Sequence, residues 1–271
     1  FMNYLETRVG HPINFIENCL PLNPSQNNVV FNTVSKSSGL AIDDENLYIS
    51  AIEDDKIYSL DYIDNTATPS ILIESINNPE GLVKHNNYLF ISSNPENTNS
   101  DKIIRYNLNS STSEEYLTSI NNPSGLIFNN NDLYISSGQK IYKVNTGITN
   151  PNPTAIITDL SLLDDSGTIG MCFIDNYLYL SEKTQIVRYN INEVNPQKEI
   201  VIDGFNNLEG LTFYDNNEVI VLDSEAKQLF KVNVLDQTVE LLTVTNLSKI
   251  YGVVLKNDTL FYSNLQGGEV A

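Results

Sequence analysis

The sequence predicts an all-β chain folded as a six-bladed β-propeller of four-stranded blades. Three observations carry that expectation. A glycine followed by an apolar residue recurs at Gly39-Leu40, Gly81-Leu82, Gly125-Leu126, Gly170-Met171, Gly210-Leu211 and Gly252-Val253, with successive spacings of 42, 44, 45, 40 and 42. Eight or nine residues after each glycine an apolar run begins: Leu47-Tyr48-Ile49-Ser50, Leu89-Phe90-Ile91-Ser92, Leu133-Tyr134-Ile135-Ser136, Leu178-Tyr179-Leu180-Ser181, Val219-Ile220-Val221-Leu222 and Leu260-Phe261-Tyr262-Ser263. Between glycine and run lies a polar, Asn/Asp-rich stretch such as Asp43-Asp44-Glu45-Asn46 or Asp215-Asn216-Asn217, which suits a tight antiparallel hairpin. A period of about 42 residues is that of one propeller blade. A leucine-rich repeat is shorter, and a helical repeat shows helix-length apolar periodicity.

The remaining strands follow in order. Third strands are expected at Lys56 to Tyr62, Lys102 to Leu108, Lys140 to Thr146, Gln185 to Ile191 and Gln228 to Val234. Fourth strands are expected at Ser70 to Ile76, Glu115 to Ile120, Thr154 to Leu160, Glu199 to Phe205 and Val239 to Val244. The sixth copy ends during its third strand, and Val29 to Val34 is expected to close the ring by pairing into it, which removes open sheet edges. Residues 1–27 read as an N-terminal arm, with a short helix near Met2 to Arg8, and residues 28–271 as the propeller. Cys19 and Cys172 read as two isolated thiols, with a Cys19–Cys172 bond as the alternative.

Composition narrows the function. The chain has 271 residues and a formal charge of −19, and such an acidic surface disfavours nucleic acid and anionic membranes. The 38 asparagines, many in doublets, fit a chain rich in turns. No apolar run approaches the about 18 residues of a membrane span. The expectation is a monomer in an extracytoplasmic setting, periplasmic or secreted. Asn109-Ser110-Ser111, Asn246-Leu247-Ser248 and Asn257-Asp258-Thr259 match the glycosylation pattern, as short patterns do in an Asn-rich chain.

Pro79-Glu80-Gly81-Leu82 with Leu89-Phe90-Ile91-Ser92, and Pro123-Ser124-Gly125-Leu126 with Leu133-Tyr134-Ile135-Ser136, resemble the NHL-repeat and YWTD classes of six-bladed propeller. The chain lacks tryptophan and the YWTD motif itself. It is also similar to the gluconolactonase/regucalcin group, whose members hold a divalent metal in the central channel. That resemblance implies metal ligands immediately before the strand-opening glycine, here Ser38, Glu80, Ser124, Ile169, Glu209 and Tyr251. The group's asparagine-containing versions of the motif are absent, so its full ligand set does not carry over.

Propeller topology places the residues before each glycine, and those after each second strand, around one channel mouth. The serines ending the second strands are expected to line a wet channel. The acidic members of the ring are Glu80, Glu182, Glu209 and Asp223, with Asn94 and Asn264 as neutral oxygen donors. Glu80, Glu209 and Asp223 are the candidate ligands of one divalent cation, Ca²⁺ by donor chemistry; the alternative is a solvated acidic rim with no fixed ion. Asn94, Glu182, Tyr251 and Asn264 are the candidate ligand-binding residues. His85 falls on the opposite face, His11 in the arm, and Tyr48, Tyr134 and Tyr179 read as blade packing.

The leading expectation is a non-enzymatic propeller that binds a small molecule or protein partner at the channel mouth. The first alternative is a metal-dependent lactonase or esterase with Glu182 as general base. The second is a structural repeat module of a secreted or surface protein.

Overall fold

A computed structural model describes residues 14–15, 37–64, 67–95, 100–160, 170–242, 250–257, 259–264 and 269–270. The chain is an all-β propeller, with no helix among the described residues. The first unit is a four-stranded meander of Ser37–Ile42, Asn46–Ala51, Lys56–Asp61 and Ser70–Glu74. Pro79–His85, Tyr88–Ser93, Lys102–Asn107 and Thr112–Leu117 form the second. Pro123–Asn129, Asp132–Ser137, Lys140–Asn145 and Thr154–Ile157 form the third. Strand ends differ from the expected ones by a few residues. The last strand of the second unit starts three residues early, at Thr112, where Ser111 turns the chain tightly with a φ of 54°.

The fourth and fifth units share one seven-stranded sheet that includes the long strands Tyr177–Asn190 and Glu199–Asp215. Tyr177–Asn190 joins the second and third strands of the fourth unit without the expected break, and Glu199–Asp215 runs on from the last strand of the fourth unit into the first strand of the fifth. They bend instead at Lys183 and Gly204, whose φ values are 55° and 102°, so one hydrogen-bonded ladder passes between units. On the outside of this sheet Asn14–Phe15 pairs parallel with Thr238–Leu242, which brings these two residues onto the fifth unit. Ile250–Lys256, Thr259–Asn264 and Glu269–Val270 make up the described part of the sixth unit. Val29 to Val34, Met2 to Arg8 and Cys19 lie outside the described residues.

Three features bring the units around an axis. The first is the glycine itself. A Cβ on Gly39 would collide with the Glu80 carbonyl, one on Gly81 with that of Ser124, and one on Gly170 with the Leu211 amide. One on Gly210 would lie 2.9 Å from the Tyr251 carbonyl, and one on Gly252 would strike that of Ser38. Each of these five glycines therefore admits the backbone of the next inner strand, and the last returns to the first.

The second feature is the serine ending most second strands. Ser50, Ser92, Ser136, Ser181 and Ser263 each accept the amide of the glycine in their own unit, at 2.7–2.8 Å. Four of these hydroxyls also donate across a seam: Ser50 to Glu80, Ser92 to Ser124, Ser181 to Glu209 and Ser263 to Ser38. All five are at most 1 % exposed, so the expectation of a wet serine lining is corrected. The close backbone approach strands an amide and a carbonyl together, and one buried hydroxyl satisfies both.

The third feature is the core, which lies in clusters between neighbouring units. Ala41, Tyr48 and Ile73 pack with Leu82, Leu89 and Tyr106 between units one and two. Leu40, Leu47 and Ile49 pack with Phe261 between units one and six. Tyr48, Tyr134 and Tyr179 are buried in these interfaces, as expected. The hairpin turns use left-handed Asn86, Asn130, Asp175, Asn216 and Asn257, with φ of 42–55°. Asn and Asp tolerate that region because their short polar side chains bond locally.

Candidate functional site

The inner strands enclose a channel of about 300 Å³. Its walls are mostly apolar: Leu40, Leu82, Leu126, Met171, Leu211 and Val253 follow the glycines around it. Of the expected mouth residues, Glu209 and Tyr251 border this channel. Lys84 and Thr212 also line it, although the repeat pattern did not single them out. Both follow their glycine in an apolar strand, where one polar residue is easily overlooked.

Glu80 opens the second inner strand and is half-buried. Burial pushes its carboxyl above the ordinary glutamate range, an effect opposed by the Asn94 and Ser124 side chains beside it and reinforced by the charge of Asp101. Asn94 is 7 % exposed and Ser124 4 %. Asn94 Nδ2 donates to the Pro123 carbonyl at 2.7 Å. Asn94 Oδ1 and Ser124 Oγ are buried with no well-formed hydrogen bond among the described residues. This corner gathers a carboxyl and two further oxygens where the second and third units meet.

The fifth unit holds Glu209 and Asp223. Glu209 Oε1 accepts from Ser224 Oγ at 2.8 Å and Asn207 Nδ2 at 3.0 Å. Asp223 is 1 % exposed and accepts three backbone amides, from Asn206, Asn207 and Ala226. It therefore ties the loop entering the inner strand to the turn leaving the second strand. Glu182, also 1 % exposed, pairs with Lys198 at 2.9 Å and accepts from Gln185 at 2.8 Å. Lys198 further reaches the Asp159 carbonyl. Asn264 ends its strand paired with Ile250 and Glu269.

Glu80 and Glu209 fall in the second and fifth units, three steps apart around the ring. Among the described residues no three His, Cys, Asp or Glu side chains are grouped to hold a metal, so Glu80, Glu209 and Asp223 do not form one such set. On the opposite face His85 stacks on Phe128, with ring centroids 4.0 Å apart, and burial holds its imidazole below the usual range. Cys172 is a buried free thiol pushed well upward by desolvation.

No protein-family model and no curated protein matches the sequence. Solved structures do match in fold. A chain of a nidogen/laminin complex aligns with a TM-score of 0.69 at 15% identity, over 80% of this chain and 84% of that one. The calcium-binding protein regucalcin from Agrobacterium tumefaciens aligns with a TM-score of 0.65 at 12% identity, over 89% and 91%. An auxiliary nutrient binding protein from Bacteroides thetaiotaomicron gives a TM-score of 0.70 at 13% identity, over 88% and 68%. At these identities the likeness shows the propeller fold alone.

Proposed function

We propose that the chain is a six-bladed propeller that binds a small ligand at the glycine-side mouth of its channel, without catalysing a reaction on it. The observation that carries this reading is the Glu80 corner. A half-buried carboxyl stands beside Asn94 and Ser124, whose oxygens are buried without a well-formed hydrogen bond among the described residues. Such oxygens are costly to bury unmatched, and a ligand carrying hydrogen-bond donors offsets that cost. The fold likeness to a nutrient-binding propeller agrees with this reading.

A divalent cation is the second reading, favoured by the same three oxygens. Carboxylate, amide and hydroxyl oxygens are hard donors of the kind Ca²⁺ takes, and Glu80, Asn94 and Ser124 are the residues that would hold it. The hydrolase reading gains no comparable support, because Glu182 is engaged by Lys198 and Gln185.

A thermal-shift screen of the whole chain against amines, sugars, Ca²⁺ and Mg²⁺ tests both readings. A ligand that binds only the folded state raises the melting temperature once its concentration exceeds Kd. The expected result is a shift that Glu80→Gln and Asn94→Ala each remove. A flat screen, or a shift that both variants retain, overturns the assignment.

A further inference from the structure

We infer that the channel itself is a further binding site, taking an uncharged, largely apolar small molecule with a body of about two fused rings. This site goes beyond the mouth reading and stands without it, because Glu80, Asn94 and Ser124 are not among the residues that line the channel.

Size and wall chemistry come first. An apolar cavity of about 150 Å³ admits a benzene ring, and the channel, at about 300 Å³, is larger than that. Ile42, Val83, Leu126, Ile127, Val254 and Leu255 line it from several units and are half-buried. Each also packs against the core between blades, so the walls are held in place before a ligand arrives. Apolar surface left half-covered in a cavity gains free energy in proportion to the area that a ligand removes from water. Walls of this kind favour hydrocarbon over a sugar.

Charge then narrows the class. Among the described residues Lys84 and Glu209 are the charged side chains that border the channel, and both are engaged within the protein. The Lys84 ammonium lies 3.6 Å from Asp43 Oδ2. Asp43 is itself fixed by Tyr48 and by the amides of Glu45 and Asn46. Glu209 accepts from Ser224 and Asn207. A charged ligand would therefore give up its water without gaining an ion partner, which is costly. Neutral polarity is better tolerated. The inner strands of units one, two, three, four and six each end their sheet, and such edges carry backbone amides and carbonyls outside the ladder. Those groups accommodate a neutral hydroxyl on a ligand whose body is apolar.

The test compares four probes with one naphthalene body by equilibrium dialysis against the whole chain: 1-methylnaphthalene, 1-naphthalenemethanol, 1-naphthylmethylamine and 1-naphthoic acid. Salt at about 0.15 M limits the reach of the protein's own charge to about 8 Å. The hydrocarbon is expected to bind tightest and the alcohol next, with the amine and the acid each about tenfold or more below the alcohol. Thr212→Phe, which fills the channel from a half-buried position, should weaken both neutral probes about tenfold or more. Val254→Phe serves as a second block. Circular dichroism and melting temperature would verify that each variant folds.

An amine or acid that binds as tightly as the alcohol overturns the assignment. So does neutral binding that survives both blocking variants, or failure of all four probes to bind. None of these outcomes bears on the Glu80 corner, which the thermal-shift screen tests separately.

Discussion

Glu80 and Glu209 occupy the same position of the repeat, one residue before the strand-opening glycine, yet their surroundings differ. In the fifth unit the neighbouring polar groups are knitted together. Ser224 and Asn207 converge on Glu209, and Asp223 collects three backbone amides. In the second unit the residue matching Asp223 is Ser93, whose hydroxyl donates to the Asn77 carbonyl at 2.6 Å. Its neighbour Asn94 turns its amide toward Pro123 across the seam. One repeat position thus clamps the same loop with opposite hydrogen-bond polarity, accepting as Asp223 and donating as Ser93. The clamp is architectural in both places. What distinguishes the second unit is the half-buried Glu80 carboxyl beside the buried Asn94 and Ser124 side chains, the corner proposed to meet a ligand.

Of the two largest expected effects, the first tests the clamp. Asp223→Ala removes the acceptor for three part-buried amides and is expected to cost about 2–3 kcal/mol, read by urea unfolding. A loss below about 1 kcal/mol would show that the loop finds other acceptors. Lys198→Ala leaves the buried Glu182 carboxylate without its close cation and should cost about 3 kcal/mol. Adding Glu182→Gln should recover part of that loss, and no recovery would mean that Lys198 acts through packing alone.

Ser92→Ala comes next, at about 1–2 kcal/mol, because the Gly81 amide and Ser124 carbonyl lose their shared hydroxyl. The seam between units five and six supplies the contrast. Leu222 stands there in place of serine and packs with Val253 and Tyr262. Leu222→Ser is therefore expected to destabilise rather than restore a missing link.

The smallest effect concerns Glu80. Its folded-state pKa lies above its unfolded value, so the folded protein holds the proton more tightly. The associated stability is present below the unfolded pKa and is lost as pH rises through the folded pKa. Glu80→Gln should consequently stabilise the ligand-free protein slightly at pH 7, with the advantage vanishing toward pH 4. A destabilised variant at pH 7 would show that the charged carboxylate already has a strong partner.

Much of the architecture was legible because repetition makes a weak local pattern decisive. Hairpins at Asn86 or Asn130 and the buried Tyr134 follow from residue type and period alone. The site was less legible. Glu80 and Glu209 were located, but no sequence rule shows that Ser124 stands beside one and Asn207 beside the other. Lys84 and Thr212 gave no sign that they face the channel.

By itself the sequence determined the repeat, its turns, the alternation of the strands and the acidic surface, since each depends on neighbours a few residues apart. Tertiary structure decided that Asp223 and Glu182 are internal braces, that the serines join blades, and that the channel is apolar with a carboxylate at one end. Those outcomes depend on backbone brought together from units about 40 residues apart. At such close approach, whether a polar side chain meets an amide, a lysine or open space sets its role.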